Sequence, residues 1–149
     1  NRYAMGTSDE RHRAGELYKR GEAYGIPGKQ VDGQDIIAVR EAAAEAIDHV
    51  RSGKGPYLLE MMTYRYRGHS MSDPANYRTK DEVKEVKTKR DPIDNFSKWI
   101  VDEGLADEDE LKSIDKEIKD QMKEVADFAL NSPHPDESEL WTDVLKEKA

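Results

Sequence analysis

Four cationic side chains crowd one short stretch, Tyr64 to Arg78, which reads Y-R-Y-R-G-H-S-M-S-D-P-A-N-Y-R and carries Arg65, Arg67, His69 and Arg78. Guanidinium forks beside an imidazole can hold the oxygens of a phosphate or carboxylate through several directed hydrogen bonds. Gly68 lets the backbone pass close to such a ligand, and Gly68 and Pro74 are the natural pivots of the segment. The competing reading is a basic loop that water solvates. His69 is the first candidate for chemistry, set against a histidine that only bonds backbone. Asp73 and Arg78 are expected to pair across the loop and set its shape.

The elements before this stretch decide between the two readings. Lys29 to Val31 reads as a short strand, with Asp32 as the expected N-cap of a helix from about Gln34 to Arg51. Ile36, Ile37, Val39, Ala43, Ala46, Ile47 and Val50 give that helix an apolar stripe. Ser52-Gly53-Lys54-Gly55-Pro56 ends it, and Tyr57 to Thr63 reads as a buried strand. Strand, helix and strand form a unit of an open, mainly parallel sheet, in which ligands gather at the carboxyl ends of strands. The loop from Tyr64 leaves such an end.

Upstream, Asn1 to Ser8 reads as a loop with several oxygen donors. The Asn1 amide oxygen and the Tyr3 main-chain carbonyl are hard ligands that Mg²⁺ accepts, although no carboxylate is placed to complete a site. Asp9 to Gly28 is polar and broken by glycines, so irregular structure is expected, with at most a helical turn around Ala14 to Arg20. Arg11, His12 and Arg13 read as a solvated basic face.

Downstream the pattern turns helical. Thr79 with Glu82 reads as a capping box for a helix from Lys80 to about Lys89. Asp91 followed by Pro92 starts another, with Ile93, Phe96, Ile100 and Val101 expected on its inner face, Trp99 at the border and Gly104 closing it. Asp107 to Asn131 carries Leu111, Ile114, Ile118, Met122, Val125 and Phe128 or Ala129 at helical spacing, the mark of a long amphipathic helix. Pro133 to Ser138 reads as an extended linker, and Leu140, Trp141, Val144 and Leu145 as an apolar tail that docks on this or a partner subunit.

Composition narrows the functional classes. The 149 residues are 36% hydrophobic and 38% charged, lean for a domain that must bury its own core. A formal charge of -8 argues against general nucleic-acid binding, so the basic loop is local. The absence of cysteine removes disulfides, thiol catalysis and thiolate metal sites. No apolar run has the length of a membrane span, so a soluble intracellular protein is expected.

The motif G-H-S-M-S-D-P followed by Tyr77 and Arg78, together with N-R-Y-A-M-G-T-S at the start, V-D-G-Q-D at Val31 to Asp35, R-S-G-K-G-P and E-L-W-T-D-V, resembles the alpha subunits of the pyruvate dehydrogenase E1 component. The resemblance extends over nearly the whole chain. It implies the C-terminal part of an α/β thiamine-diphosphate-binding domain, with parallel strands and flanking helices over residues 1–78, followed by a helical C-terminal region over residues 79–149 that packs on it and on partner subunits. It implies oxidative decarboxylation of pyruvate, with the acetyl group passed to the lipoyl group of the E2 acyltransferase. Thiamine diphosphate and Mg²⁺ are the implied cofactors, and an E1 beta subunit in an α2β2 heterotetramer is the implied partner.

The same resemblance implies that Arg65 and His69 lie at the cofactor diphosphate, with His69 also a proton donor near the reacting centre. Asn1 and the Tyr3 carbonyl would be metal ligands, and Ser70 matches a serine that kinases phosphorylate in mitochondrial relatives. Two departures stand out. The Gly-Asp-Gly that opens the cofactor motif of that family is absent, so these residues are expected to be the C-terminal part of a longer chain, inactive alone. A second phosphoacceptor of the family is replaced by Asn76, which points to a bacterial, cytoplasmic enzyme over one of the mitochondrial matrix. An alpha subunit for branched-chain 2-oxo acids or acetoin, and a non-catalytic interaction module, are the rival readings.

Overall fold

The computed structural model describes residues 1–143, so the part of the apolar tail at Val144 and Leu145 lies outside the described residues. The chain divides into two compact units, Asn1–Glu103 and the residues from Gly104 onward.

The first unit is built on a two-stranded parallel sheet. β3 (Gly28–Asp32) pairs in register with β4 (Leu58–Met62), Gly28 opposite Leu58 and Asp32 opposite Met62. A parallel pair needs a crossover, and α2 (Ile36–Arg51) supplies it. The mixed helix-and-strand pattern expected from the sequence is therefore present. The core is small: Val31, Ala42 and Ala46 are its buried apolar residues. β4 is half-buried along its whole length instead of fully enclosed, because one neighbouring strand and one helix cannot cover both of its faces. For the same reason Ile47 and Val50, at the outer edge of the α2 stripe, remain exposed.

The start of α2 departs from expectation. Asp35, not Asp32, is the N-cap, its carboxylate accepting from Ile37 N and Ala38 N at 3.0 Å each. Asp32 ends β3, turns the chain by accepting from Gln34 N at 3.0 Å, and holds Arg90 Nη2 at 2.8 Å. Two aspartates three residues apart both suit a cap. The Gly33-Gln34 turn decides between them, because it must be completed before helical hydrogen bonding begins.

The N-terminal segment is more ordered than its composition suggests. β1 (Tyr3–Ala4) pairs antiparallel with β2 (Thr7–Ser8), α1 (Asp9–His12) follows, and a 3₁₀ helix runs over Leu17–Tyr24, where at most a helical turn around Ala14 to Arg20 was expected. The cause is an acidic anchor on β4. Glu60 accepts from Arg13 Nη1 at 2.9 Å, from Gln30 Nε2 at 3.1 Å and from Tyr18 N at 3.2 Å, while buried Asp9 lies 3.7 Å from Arg13 Nη2. Arg13 is thus a half-buried bridge and not part of a solvated face. His12 is exposed, its Nδ1 2.7 Å from the Ser8 carbonyl.

α3 (Lys80–Arg90) and α4 (Pro92–Asp102) meet at Asp91, which caps α4 through Ile93 N and Asp94 N, with Pro92 in its first turn as the sequence predicts. The joint is stitched to the sheet side by Gln34 Nε2 donating to the Arg90 carbonyl at 2.7 Å and by Tyr66 Oη donating to Asp91 at 3.0 Å. On α4, Phe96 stacks on Trp99 with centroids 5.6 Å apart, while Ile93 faces solvent against expectation. Its place in the first turn, beside the Asp91 cap, leaves it nothing to pack on.

The second unit is dominated by α5 (Glu108–Asn131). Asp107 and Glu110 form a reciprocal capping box, and lysine-carboxylate pairs such as Lys119 with Asp115 at 2.6 Å run along the helix. Ile114, Ile118, Met122, Val125 and Phe128 make a continuous exposed apolar stripe. A short 3₁₀ turn at Glu137–Leu140 replaces part of the expected linker, and Leu140 and Trp141 are exposed. No helix among the described residues is long and apolar enough to cross a membrane.

A 24-residue helix this well capped should persist outside the protein. A peptide spanning residues 104–134 is expected to show partial helicity by circular dichroism. Asp107→Ala should cost it about 1 kcal/mol of helix stability, since it removes the carboxylate that accepts from Asp109 N and Glu110 N.

Candidate anion-binding loop

The loop leaves β4 through Tyr64 and returns to α3 through Thr79, and its course is fixed by two side chains that bond backbone. Asp73 accepts from His69 N at 2.7 Å, Ala75 N at 2.8 Å and Tyr77 Oη at 2.8 Å. These bonds, the His69 amide first and then the Ala75 amide and the Tyr77 hydroxyl, hold its carboxyl below the ordinary aspartate range. Arg78 donates from Nη1 to the Arg65 carbonyl and from Nη2 to the Arg67 carbonyl, the latter at 2.7 Å. The expected Asp73–Arg78 ion pair does not form. Each residue shapes the loop separately, because main-chain groups left unpaired by the turn are the nearer partners.

Gly68 is required by contact. A Cβ there would lie 2.5 Å from the Asp73 carbonyl oxygen and 2.9 Å from the Asp73 Cβ. The two arms of the loop touch at this point, and only a residue without a side chain permits it.

Beneath the loop lies a cluster of tyrosines about one cation. The Arg78 guanidinium sits 5.1 Å from the Tyr64 ring centroid, 5.5 Å from that of Tyr3 and 5.8 Å from that of Tyr77. Tyr3 and Tyr77 rings lie 5.3 Å apart, and Gly6 is pressed under the Tyr77 ring, where a Cβ would come within 2.8 Å. Tyr3 Oη and Tyr64 Oη both donate to Glu82 Oε1, at 2.9 and 2.7 Å. Burial and the bond to Glu82 push Tyr64 up to about 12, and the same causes raise Tyr3. Both hydroxyls therefore stay protonated donors across the neutral range.

This arrangement separates the expected anion-binding residues. Arg67 and His69 are exposed, and among the described residues neither side chain has a hydrogen-bond partner. Arg65 is half-buried and already engaged, donating from Nη2 to the Met5 carbonyl at 2.7 Å and to Tyr77 Oη at 3.1 Å, and from Nε to the Arg67 carbonyl at 3.3 Å. Ser70 is exposed, its Oγ 3.1 Å from Ser72 Oγ. Free guanidinium and imidazole donors beside a fixed backbone suit a phosphate-like anion.

The expected metal ligands fit less fully. Asn1 Oδ1 accepts from Tyr3 N at 3.1 Å, and among the described residues there is no group of three His, Asp or Glu side chains able to hold a metal. Asn1 and the Tyr3 carbonyl offer a magnesium ion neutral oxygens alone, and its charged ligands would have to come from other residues.

Sequence reasoning singled out the cations and missed Tyr3, Tyr64, Tyr77 and Glu82 as the residues that position them. A signal was present: arginine and tyrosine sit side by side at Arg2-Tyr3, Tyr64-Arg65, Tyr66-Arg67 and Tyr77-Arg78.

Two outcomes test this geometry. Gly68→Ala should open the loop, seen as faster tryptic cleavage after Arg65, Arg67 or Arg78. For Asp73 the folded value lies below the unfolded one, so its hold on the loop is complete above about 3.9 and is lost as pH falls through the lower folded value. A carboxyl NMR titration should place its midpoint below that of an ordinary aspartate, and Tyr77→Phe should raise it.

Comparison with known proteins gives the loop its context. The family model described as "Dehydrogenase E1 component" matches residues 1–138. The chain is 58% identical over 146 residues to the pyruvate dehydrogenase E1 component subunit alpha of Rhizobium meliloti, covering 97% of this chain and 42% of that relative. It is 51% identical over 146 residues to the corresponding subunit of Zymomonas mobilis, covering 97% of this chain and 41% of the relative. It is also 51% identical over 142 residues to the somatic mitochondrial form of Homo sapiens, covering 94% of this chain and 36% of that one. The chain thus spans about two fifths of the length of these relatives. By the extent of the family match and the level of identity, the chain belongs to the dehydrogenase E1 component family.

Proposed function

We propose that these residues are the diphosphate-gripping part of an alpha subunit of pyruvate dehydrogenase E1, acting in the thiamine-diphosphate-dependent oxidative decarboxylation of pyruvate. The observation that carries this reading is the pair of donors Arg67 and His69, without hydrogen-bond partners among the described residues and exposed on a loop whose backbone Asp73 and Arg78 already fix. The names of the similar proteins supply the substrate.

When bound, thiamine diphosphate supplies the chemistry of carbon dioxide removal from a 2-oxo acid. The chain's own residues bind and orient. His69 is read as a directed donor to the diphosphate and as a proton donor near the reacting centre, and Arg65 as adding positive potential to the same site. Asn1 and the Tyr3 carbonyl are proposed to contribute neutral oxygens to a Mg²⁺ site whose carboxylate comes from outside these residues. Residues 1–78 are read as part of the cofactor-binding domain and residues 79–149 as a helical region packing on it and on partners. The partners proposed are an E1 beta subunit, in an α2β2 assembly, and the lipoyl-bearing E2. Phosphorylation of the exposed Ser70 would set negative charge beside the anion site and block it.

Calorimetry tests the reading. These residues alone should bind thiamine diphosphate and Mg²⁺ weakly or not at all, and tight binding should appear in the full-length subunit assembled with its beta partner. In that assembly His69→Ala should lower turnover by about a hundredfold or more while leaving assembly intact. Turnover at the unsubstituted level would remove His69 from its assignment.

A further inference from the structure

Glu82 breaks a local rule. Thr79 caps α3 by accepting from Glu82 N at 3.1 Å, which sets up a capping box in which the glutamate should reach back to the Thr79 amide. Instead one oxygen of its carboxylate accepts two phenol hydrogen bonds, from Tyr3 Oη at 2.9 Å and from Tyr64 Oη at 2.7 Å. A helix that gives up half of its cap for a distant pair of hydroxyls is spending local stability on a tertiary geometry.

The geometry it secures is specific. Tyr3 belongs to the N-terminal hairpin, two residues from Asn1, and Tyr64 immediately precedes Arg65. Three segments far apart in sequence, the hairpin, the exit of β4 and the first turn of α3, are joined at a single oxygen. The negative charge sits in the first turn of α3, where the helix dipole favours it, and the Arg78 guanidinium packs against both tyrosine rings. Tyr64 is held as a protonated donor, because burial and this bond push it up to about 12.

We propose that Glu82 is a positioning residue that locks the Asn1–Tyr3 segment to the root of the anion-binding loop, so that the hairpin and the loop present their donors to one ligand at a fixed separation. The inference rests on the reading of the loop as a diphosphate site. It concerns preorganisation: without the clamp the ligand must order two segments that the free protein otherwise holds ready.

The test uses the assembled full-length alpha-beta complex. Dissociation constants for thiamine diphosphate are measured by calorimetry at saturating Mg²⁺, together with melting temperatures and amide exchange of residues 65–78 without cofactor. Glu82→Ala should weaken binding about tenfold, the order expected for losing a charge-assisted pair, and speed amide exchange in the loop. Glu82→Gln, whose amide oxygen still accepts, should restore most of the affinity. Tyr3→Phe combined with Tyr64→Phe should reproduce the Glu82→Ala effect, and adding Glu82→Ala to that pair should weaken binding little further. Should Glu82→Ala fail to assemble, the phenylalanine variants carry the test, since each removes only a hydroxyl. A lower melting temperature with unchanged affinity and unchanged loop exchange overturns the inference and leaves Glu82 a structural residue. Failure of the underlying reading looks different: Arg67→Ala and His69→Ala would then also leave the dissociation constant unchanged, or the unsubstituted complex would not bind the cofactor at all.

Discussion

The Arg78 guanidinium is the fixed point of the loop. It donates to the carbonyls of Arg65 and Arg67 while three tyrosine rings lie around it, so a single cation satisfies the turn's backbone and binds the tyrosine cluster together. Its Nε is buried without a partner, a cost accepted to keep the two Nη groups on those carbonyls. The side chains of Arg67 and His69 are exposed beside these tethered carbonyls. Three guanidinium groups in one loop would otherwise repel and spread, and the division of labour among them removes that conflict.

The remainder of the first unit holds this loop at both of its roots. Glu60, two residues before Met62 on β4, ties the N-terminal segment to the strand through Arg13, Gln30 and Tyr18. Tyr66 and Gln34 tie the α3–α4 joint to the other side. These are polar links, and they do the work that apolar burial does in a larger core. With Val31, Ala42 and Ala46 as the buried apolar residues, hydrophobic packing alone would leave the loop weakly supported. Directed hydrogen bonds supply position where packing supplies little.

What was legible in the sequence was periodic or chemically loud. The long α5, the Asp91-Pro92 start of α4, the β3–α2–β4 crossover and the cationic loop all follow from spacing and residue type. What was not legible depends on choices among equivalent groups. Asp32 and Asp35 are both good caps, and only the turn at Gly33-Gln34 selects the second. Asp73 and Arg78 are natural ion partners, yet each found backbone groups that local spacing does not reveal. Glu82 carries a capping-box signature and is diverted by tyrosines 18 and 79 positions away. Long-range polar pairing has no period, so a pattern reading passes over it.

Arg65 shows how much a donor count can decide. A guanidinium offers five N–H groups, and here three bonds, to Arg67, Met5 and Tyr77, use Nε and Nη2. Nη1 has no partner among the described residues, so its two protons remain for an incoming anion without breaking any bond already made. The same side chain can therefore brace the hairpin turn at Met5 and, in the proposed diphosphate site, keep a further nitrogen for the ligand. A lysine, with one nitrogen on a flexible stem, could not bridge the Met5 carbonyl and the Tyr77 hydroxyl while also presenting a second nitrogen to a ligand. The position demands arginine for geometry more than for charge.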